Sequence, residues 1–237
     1  NLKFNPYSVS KFESFNSCAL KFKFKYIDKV PIPFTQNIAL YKGSYMHIIL
    51  ENNFNYDITF ETNEIFTEEI KQETKEILKN FQMSNLGQKY SKVIPIATLE
   101  EDFAFKLVNG VLTLCDFKDN DAWCRGSADL FLVRHDIAHI VDWKSGKNKS
   151  EDETFGITQS MMYAIYMFIK FPDVKIVKAK FIFLEHSTEK ELIYVREEFN
   201  KYIKFFYNLT KKVENNSYFN ETTSALCGWC DYEKEAI

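Results

Sequence analysis

The sequence predicts an α/β protein: an αβα sandwich around a central mixed β-sheet, with a helical N-terminal part. Three observations predict it. Much of residues 1–90 carries apolar residues at helical spacing; short β-branched runs take over from about residue 93; helical patterns then return within and after those runs. Helices placed before, within and after about five or six strands have few ways to bury their apolar faces, and layering them on both sides of one sheet is the simplest.

In chain order, Ser8–Tyr26 is the first predicted helix, with Ser8 or Ser10 as N-cap and Phe12, Phe15, Leu20 and Phe24 on its apolar positions. Pro31 and Pro33 end that region. A second helix is expected from Gly43 or Ser44 past Glu51, and a longer Glu- and Lys-rich one, solvated on one side, from Thr62 to about Gln82. Val93–Leu107 and Val111–Phe117 read as extended, joined by the hairpin signal Asn109-Gly110. A second hairpin follows at Cys124–Val133 and Ile137–Lys144 around the polar turn Arg134-His135-Asp136. Phe155–Phe171 is a helix closed by Pro172, Val174–Leu184 and Glu191–Val195 alternate as strands, and Glu197–Val213 is amphipathic again. The expected organisation is one integrated domain. Residues 1–92 form its helical N-terminal part, 93–214 its core, and 215–237 a C-terminal cysteine segment, which the family resemblance given below implies packs back on the N-terminus.

The 237 residues include 23 Phe and 13 Tyr, enough aromatic surface for a sizeable core, and only 7 Gly and 5 Pro, which excludes low-complexity and fibrous classes. A net charge of −3 excludes a general nucleic-acid coat, yet leaves room for a nuclease whose basic contacts are local. Lys21, Lys23, Lys25 and Lys29 make one such cluster, and Lys144, Lys147 and Lys149 another; either also fits a plain solvated face. No signal peptide and no bilayer-length apolar stretch is visible, and a chain beginning at Asn1 is expected to lack something upstream. Five cysteines, an odd number, do not resemble a secreted disulfide framework, so the expected compartment is the cytoplasm.

The second hairpin carries the chemistry. A loop centred between His135 and Asp136 sets Asp129 opposite Asp142, with Cβ atoms about 4.5–5.5 Å apart on one face. Lys144 shares that face and Trp143 points away, because side chains alternate along a strand. Two adjacent carboxylates repel each other, and a hard divalent cation such as Mg²⁺ or Mn²⁺ neutralises them. A lysine two residues on can orient a water or stabilise charge on a phosphoryl oxygen. His47 and Glu51, four apart, share a helix face, and a neutral imidazole can complete such a site. Gln159 and Tyr163 are also four apart; they fit either hydrogen bonds to a phosphate backbone or a polar edge on a helix buried through Met161, Met162, Ala164 and Ile165.

Cys227-Gly-Trp-Cys230 can hold zinc or part of an iron–sulfur cluster, or form a redox disulfide. A thioredoxin-like site opens a helix directly after a strand, whereas this pair follows a long helix. Cys18 is a candidate further ligand, while Cys115 and Cys124 fall in strands and read as small core residues.

Taken in order, Ser8-Val-Ser10 with Cys18, Gly43-x3-His47-x3-Glu51, the strand around Glu100–Phe105, Gly126-x2-Asp129, Asp142-x-Lys144-Ser-Gly146, Gln159-x3-Tyr163 and the final Cys-x2-Cys resemble the RecB-like branch of the PD-(D/E)XK nuclease superfamily. That branch includes the AddB nuclease domain and the CRISPR-associated four-cysteine exonucleases. The resemblance spans nearly the whole chain and implies a restriction-endonuclease-like core that cuts DNA with Mg²⁺ or Mn²⁺. It implies that His47, Asp129, Asp142 and the backbone carbonyl of Trp143 hold the metal. Lys144 is then the catalytic lysine, and Gln159 and Tyr163 bind DNA or steady the site. Cys18, Cys227 and Cys230 match three of four ligands of a [4Fe–4S] cluster. Two positions depart from the pattern: Ala19 stands where a proline often follows the first cysteine, and a third C-terminal cysteine, the fourth cluster ligand, is absent before Ile237, so either the sequence as it stands stops just short of it or the cluster is not built normally. The implied activity is a deoxyribonuclease, an exonuclease on DNA ends or single strands in repair, recombination, or phage or CRISPR DNA processing, with a helicase or recombination protein as partner and no membrane. The alternative is a catalytically silent DNA-binding or scaffold subunit of a repair complex.

Overall fold

The structure is a computed structural model describing residues 4–32, 37–58, 66–225 and 227–232. The expected mixed sheet is present. Strands β1 (Thr98–Val108), β2 (Val111–Cys115), β3 (Cys124–Arg134), β4 (Ile137–Lys144), β5 (Ile176–Phe183) and β6 (Thr188–Val195) lie in the order β2-β1-β3-β4-β5-β6. β1 with β2, β3 with β4, and β5 with β6 pair antiparallel, while β4 and β5 are parallel. A parallel neighbour needs a crossover, supplied here by helix α6 (Ile157–Lys170).

Both hairpins follow their turn residues. Asn109 and Gly110 take positive φ, 52° and 82°, as a two-residue primed turn demands, and Val108 pairs with Val111. In the β3–β4 hairpin Arg134 pairs with Ile137 and Leu130 with Val141, the register inferred from a loop centred between His135 and Asp136. His135, at φ 55°, carries the left-handed turn residue.

Helix boundaries differ from the sequence expectation for local reasons. Ser8–Tyr26 is not one helix. It divides into α1 (Val9–Ser17) and α2 (Ala19–Phe22) at Cys18, whose extended backbone stops the first helix and whose Sγ accepts from the Lys21 N–H to cap the second. A π-helical turn, Lys23–Asp28, follows. Phe12, Phe15 and Phe22 are buried, and Leu20 and Phe24 only partly so. Helix α3 runs Ile38–Glu51, starting well before Gly43, because Asn37 supplies the N-cap. Helix α4 runs Glu68–Met83 behind an N-cap at Thr67; the expected start at Thr62 and the Pro33 stop lie outside the described residues. The extended run expected from Val93 starts later: Val93 ends α5 (Asn85–Val93), a 3-10 turn follows at Ile94–Ile96, and β1 begins at Thr98. Helix α7 spans Phe199–Glu214.

The chain divides into two compact units. Unit 1 comprises 1–35, 103–126 and 199–237; unit 2 comprises 36–102 and 127–198. In unit 1 an aromatic cluster does most of the burying: Phe12 lies 5.2 Å from Tyr7 in a stacked pair and 5.8 Å from Phe206 of α7. In unit 2 one face of β3–β5 packs Leu130, Val141, Trp143 and Ile182 against Tyr45, Met46, Ile49, Leu78, Phe81 and Tyr90 from α3, α4 and α5. The other face meets α6, where Phe131 lies 6.4 Å from Tyr166. Gly156 caps α6 at φ 79°, and a Cβ there would sit 2.3 Å from the Phe181 ring, so no other residue fits without moving that ring. Among the described residues no helix is long and apolar enough to cross a membrane.

Candidate metal centre

The side chains flagged on β4 belong to unit 2 and come together at its C-terminal end. Asp129, on β3, directs Oδ2 to the backbone N–H of Trp143, which donates to it at 2.6 Å. This bond takes over where the ladder of paired residues stops, at Leu130–Val141. Oδ1 of Asp129 lies 3.6 Å from Nδ1 of His47 on α3, and Oε1 of Glu100 on β1 lies 3.8 Å from the same nitrogen. Ligand atoms of His47, Glu100 and Asp129 all fall within 4.8 Å of one another, and Asp142 is outside that group.

Asp142 is buried and held from α6. Its Oδ1 accepts from the Tyr163 hydroxyl at 2.7 Å and from Nε2 of Gln159 at 2.5 Å. Gln159 also donates to the Tyr163 oxygen at 2.8 Å, and the single Tyr163 hydroxyl proton lies between Asp142 and the Ser127 carbonyl, 3.0 Å away. Gln159 and Tyr163 therefore face the carboxylate, and the Tyr163 ring is buried. Nζ of Lys144 sits 2.6 Å from Asp142 Oδ2 and 3.1 Å from Gln159 Oε1. The short Lys144 contact is a charge contact: Oδ2 is buried and has no donor aligned on it in hydrogen-bond geometry. Trp143 points to the opposite face, its ring edge-on to Tyr90 at 5.1 Å and Phe81 at 6.3 Å.

Burial and like charge govern the electrostatics. Burial, then the nearby Asp142 carboxylate, pushes Asp129 up to about 7, against the opposing pull of His47 and the Trp143 N–H. Burial alone would lower His47, but the Glu100 and Asp129 carboxylates, with Asp142 behind them, outweigh it and raise the imidazole to about 9. Three carboxylates thus converge on one imidazole and one ammonium. An imidazole and two carboxylates with ligand atoms within 4.8 Å of one another, hard oxygens beside one nitrogen, are a donor set that fits a divalent cation.

Glu100 was not singled out as a ligand from sequence. Its φ of 47° breaks the alternation of β1, so no period-2 pattern points to its carboxylate; the two consecutive acids Glu100-Glu101 in a strand are the available signal. Such a backbone costs about 1–3 kcal/mol and persists where the surroundings enforce it. Glu51 and His47 both line a cleft of about 450 Å³ with Gly43, Ser44, Glu100 and Ser145. Lys147 and Lys149 are exposed in the loop beyond β4.

The cysteines are in unit 1. Cys18, Cys227 and Cys230 are free thiols lining one cavity of about 270 Å³ with Lys21, Phe24, Thr222 and Tyr232. The Ser224 N–H reaches Cys227 Sγ at 3.2 Å and the Lys21 N–H reaches Cys18 Sγ at 3.5 Å. Three thiols around one cavity fit a soft metal group, although no fourth cysteine joins them among the described residues. Cys124 is fully buried as expected; Cys115, expected in the core, is only half-buried on the edge strand β2.

Comparison with known proteins places the chain in a family. A family model described as the PD-(D/E)XK nuclease superfamily matches residues 6–234. The crystal structure of a candidate exonuclease from Eubacterium rectale superposes with a TM-score of 0.50 at 15% identity, covering 95% of this chain and 86% of the other. The crystal structure of SSO0001 matches with a TM-score of 0.35 at 12% identity, over 91% of this chain and 93% of the other. No curated protein matches the sequence.

Proposed function

The chain belongs to the PD-(D/E)XK nuclease superfamily, and from that premise we propose that it is a metal-dependent deoxyribonuclease of the RecB-like branch, an exonuclease acting on DNA ends or single strands. The observation that carries this reading is the ammonium of Lys144, 2.6 Å from Asp142 and beside an imidazole–carboxylate group of metal-binding dimensions. His47, Asp129 and Glu100 are the proposed cation ligands, with Asp142 and the Trp143 carbonyl completing the set. Mg²⁺ or Mn²⁺ bound there supplies charge neutralisation and Lewis-acid polarisation of a scissile phosphate.

The chain's own residues do the rest. The Trp143 N–H fixes the Asp129 carboxylate, leaving Oδ1 turned towards His47. Tyr163 and Gln159 fix Asp142 through Oδ1 and so set the direction of Oδ2. Lys144, braced by Gln159 Oε1, presents a proton-rich head that orients an attacking water or stabilises charge developing on the phosphoryl oxygens. Glu51 and Ser145 in the adjoining cleft border the path by which a nucleic-acid strand reaches these groups.

Cys18, Cys227 and Cys230 are the proposed protein ligands of a [4Fe–4S] cluster that ties the 215–237 segment to the helical 1–92 part, with 93–214 as the nuclease core. The setting is cytoplasmic DNA repair or recombination, or phage or CRISPR DNA processing, beside a separate helicase or recombination protein. A silent scaffold subunit has no observation in its favour, since the lysine and both aspartates are kept in register. The experiment is incubation of linear DNA with the protein and Mn²⁺ or Mg²⁺, alongside Lys144→Ala. Metal-dependent loss of DNA from its ends in the parent, absent in the variant, is expected; equal activity in both overturns the role of Lys144.

A further inference from the structure

Glu101 lies next to the proposed ligand Glu100 and has no part in the site as described, yet it is the hub of a separate network. Its Oε1 accepts from the Tyr166 hydroxyl at 2.6 Å and from Nζ of Lys170, and Lys170 also donates to the Tyr166 oxygen at 2.8 Å. The same ammonium lies 5.0 Å from the Phe131 ring centre, 5.3 Å from Tyr166 and 5.8 Å from Phe171. Tyr166 is buried, so the network is anchored in the α6 face of the sheet rather than loose on the surface.

Strand geometry shows what this anchoring does. Leu99 packs against the cluster formed by α3, α4 and α5, on one face of the sheet. Glu101, two residues on, should point the same way in a regular strand, but bonds to α6 on the other face. The reversal occurs at Glu100, whose φ of 47° turns its carboxylate towards His47 and Asp129. A left-handed glutamate inside a strand relaxes unless both flanks are held. Leu99, partly buried, holds one flank by packing, and the Tyr166–Lys170 pair holds the other by charge and hydrogen bonds. Helix α6 thus grips both sides of the centre: Gln159 and Tyr163 hold Asp142, and Tyr166 and Lys170, one to two turns on, hold β1.

We infer that Glu101, clamped by Tyr166 and Lys170, is a positioning residue that keeps the carboxylate of Glu100 aimed at His47 and Asp129 and thereby sets the affinity of the centre for its divalent cation. This rests on the reading of His47, Glu100 and Asp129 as metal ligands, and deepens it.

The test measures Mn²⁺ binding to the full chain by electron paramagnetic resonance of the free ion, together with the Mn²⁺ dependence of DNA cleavage. Glu101→Gln and Lys170→Met are expected to weaken Mn²⁺ binding by about tenfold, in line with losses at residues that orient metal ligands. Cleavage at saturating Mn²⁺ should stay within about twofold of the parent, because the clamp touches neither substrate nor water. Glu73→Gln, which removes an ordinary ion pair with Lys42, should leave Mn²⁺ affinity unchanged. In a Glu100→Gln background the further change Glu101→Gln should cost nothing more, since its effect runs through Glu100. Additive losses in that double variant, or unchanged Mn²⁺ affinity in Glu101→Gln while Glu100→Gln binds weakly, overturn the clamp alone. Unchanged affinity in Glu100→Gln itself overturns the ligand assignment and the clamp with it.

Discussion

The carboxylate centre of unit 2 and the cysteine cavity of unit 1 both collect side chains from distant parts of the chain, but they are held in opposite ways. In unit 2 each aspartate is fixed by donors that belong to the fold: a strand N–H on Asp129, a phenol and an amide on Asp142. In unit 1 the thiols of Cys18, Cys227 and Cys230 border a cavity, and the donors that reach sulfur are backbone N–H groups at 3.2–3.5 Å in short turns. The carboxylates are oriented before an ion arrives. The thiols surround a space whose occupant would supply the missing order. A bound metal group there contributes directly to folding, whereas a cation in unit 2 mainly relieves repulsion that the fold already tolerates.

Four measurements sharpen or break this contrast. The largest effect is expected for Lys144→Ala, which should lower the cleavage rate by about 10²–10³ while leaving Mn²⁺ binding in place, the loss typical of removing one transition-state donor. Loss of Mn²⁺ binding in that variant would make Lys144 a structural counter-ion instead. Next is the pH dependence of metal affinity. Cation binding requires Asp129 charged and His47 neutral, and these groups titrate near 7 and 9 in the metal-free protein, so affinity should rise by about a hundredfold between pH 6.5 and 8. A flat titration would mean the ion does not contact them.

Cys227→Ser comes third. With the proposed cluster in place, the parent purified without oxygen is expected to be brown and to hold iron; the variant should lack both and melt several degrees lower, while Mn²⁺-dependent cleavage at low temperature persists. Equal loss of cleavage and melting temperature would show that the cysteine cavity and the carboxylate centre are not separable. The smallest effect is a gain. The pKa of Asp129 in the folded state, about 7, exceeds its ordinary 3.8, so its contribution to stability is full below pH 4 and is lost as pH rises through 7. At pH 8 without metal, Asp129→Asn should therefore raise the melting temperature, by about 2–4 °C per kcal/mol relieved. A lower melting temperature would assign the carboxylate a net stabilising role.

Much of unit 2 was legible because its signals are local. The turn at His135 and Asp136 fixes the β3–β4 register, and that register alone puts Asp129, Asp142 and Lys144 on one face. The pairs Gln159–Tyr163 and His47–Glu51 were visible as helix spacings. What escaped reading depends on breaks in periodicity. Glu100 enters through a left-handed strand residue, and Cys18 stands in a gap between helices that a continuous pattern from Ser8 to Tyr26 conceals. The early start of α3 hangs on Asn37, one capping side chain whose signal is weak beside the apolar run after it. Helix α5 is short, and its stop at Ile94-Pro95 resembles the start of a strand.

The hydrogen bond from the Trp143 N–H to Asp129 has a consequence for which ions the centre can tell apart. It occupies Oδ2, so Asp129 has one oxygen left to offer, and Asp142 is in the same position with Oδ1 shared by Tyr163 and Gln159. Neither aspartate can grip an ion with both oxygens unless a bond inside the fold is given up. A Ca²⁺ ion, which fills six to eight positions and relies on two-oxygen carboxylate contacts, would have Glu100 alone among the proposed acidic ligands to supply one freely. Smaller ions that take single oxygens at about 2.0–2.1 Å and keep several waters lose nothing. If the centre takes a cation as proposed, a backbone amide of the neighbouring strand would then favour the smaller ions over Ca²⁺.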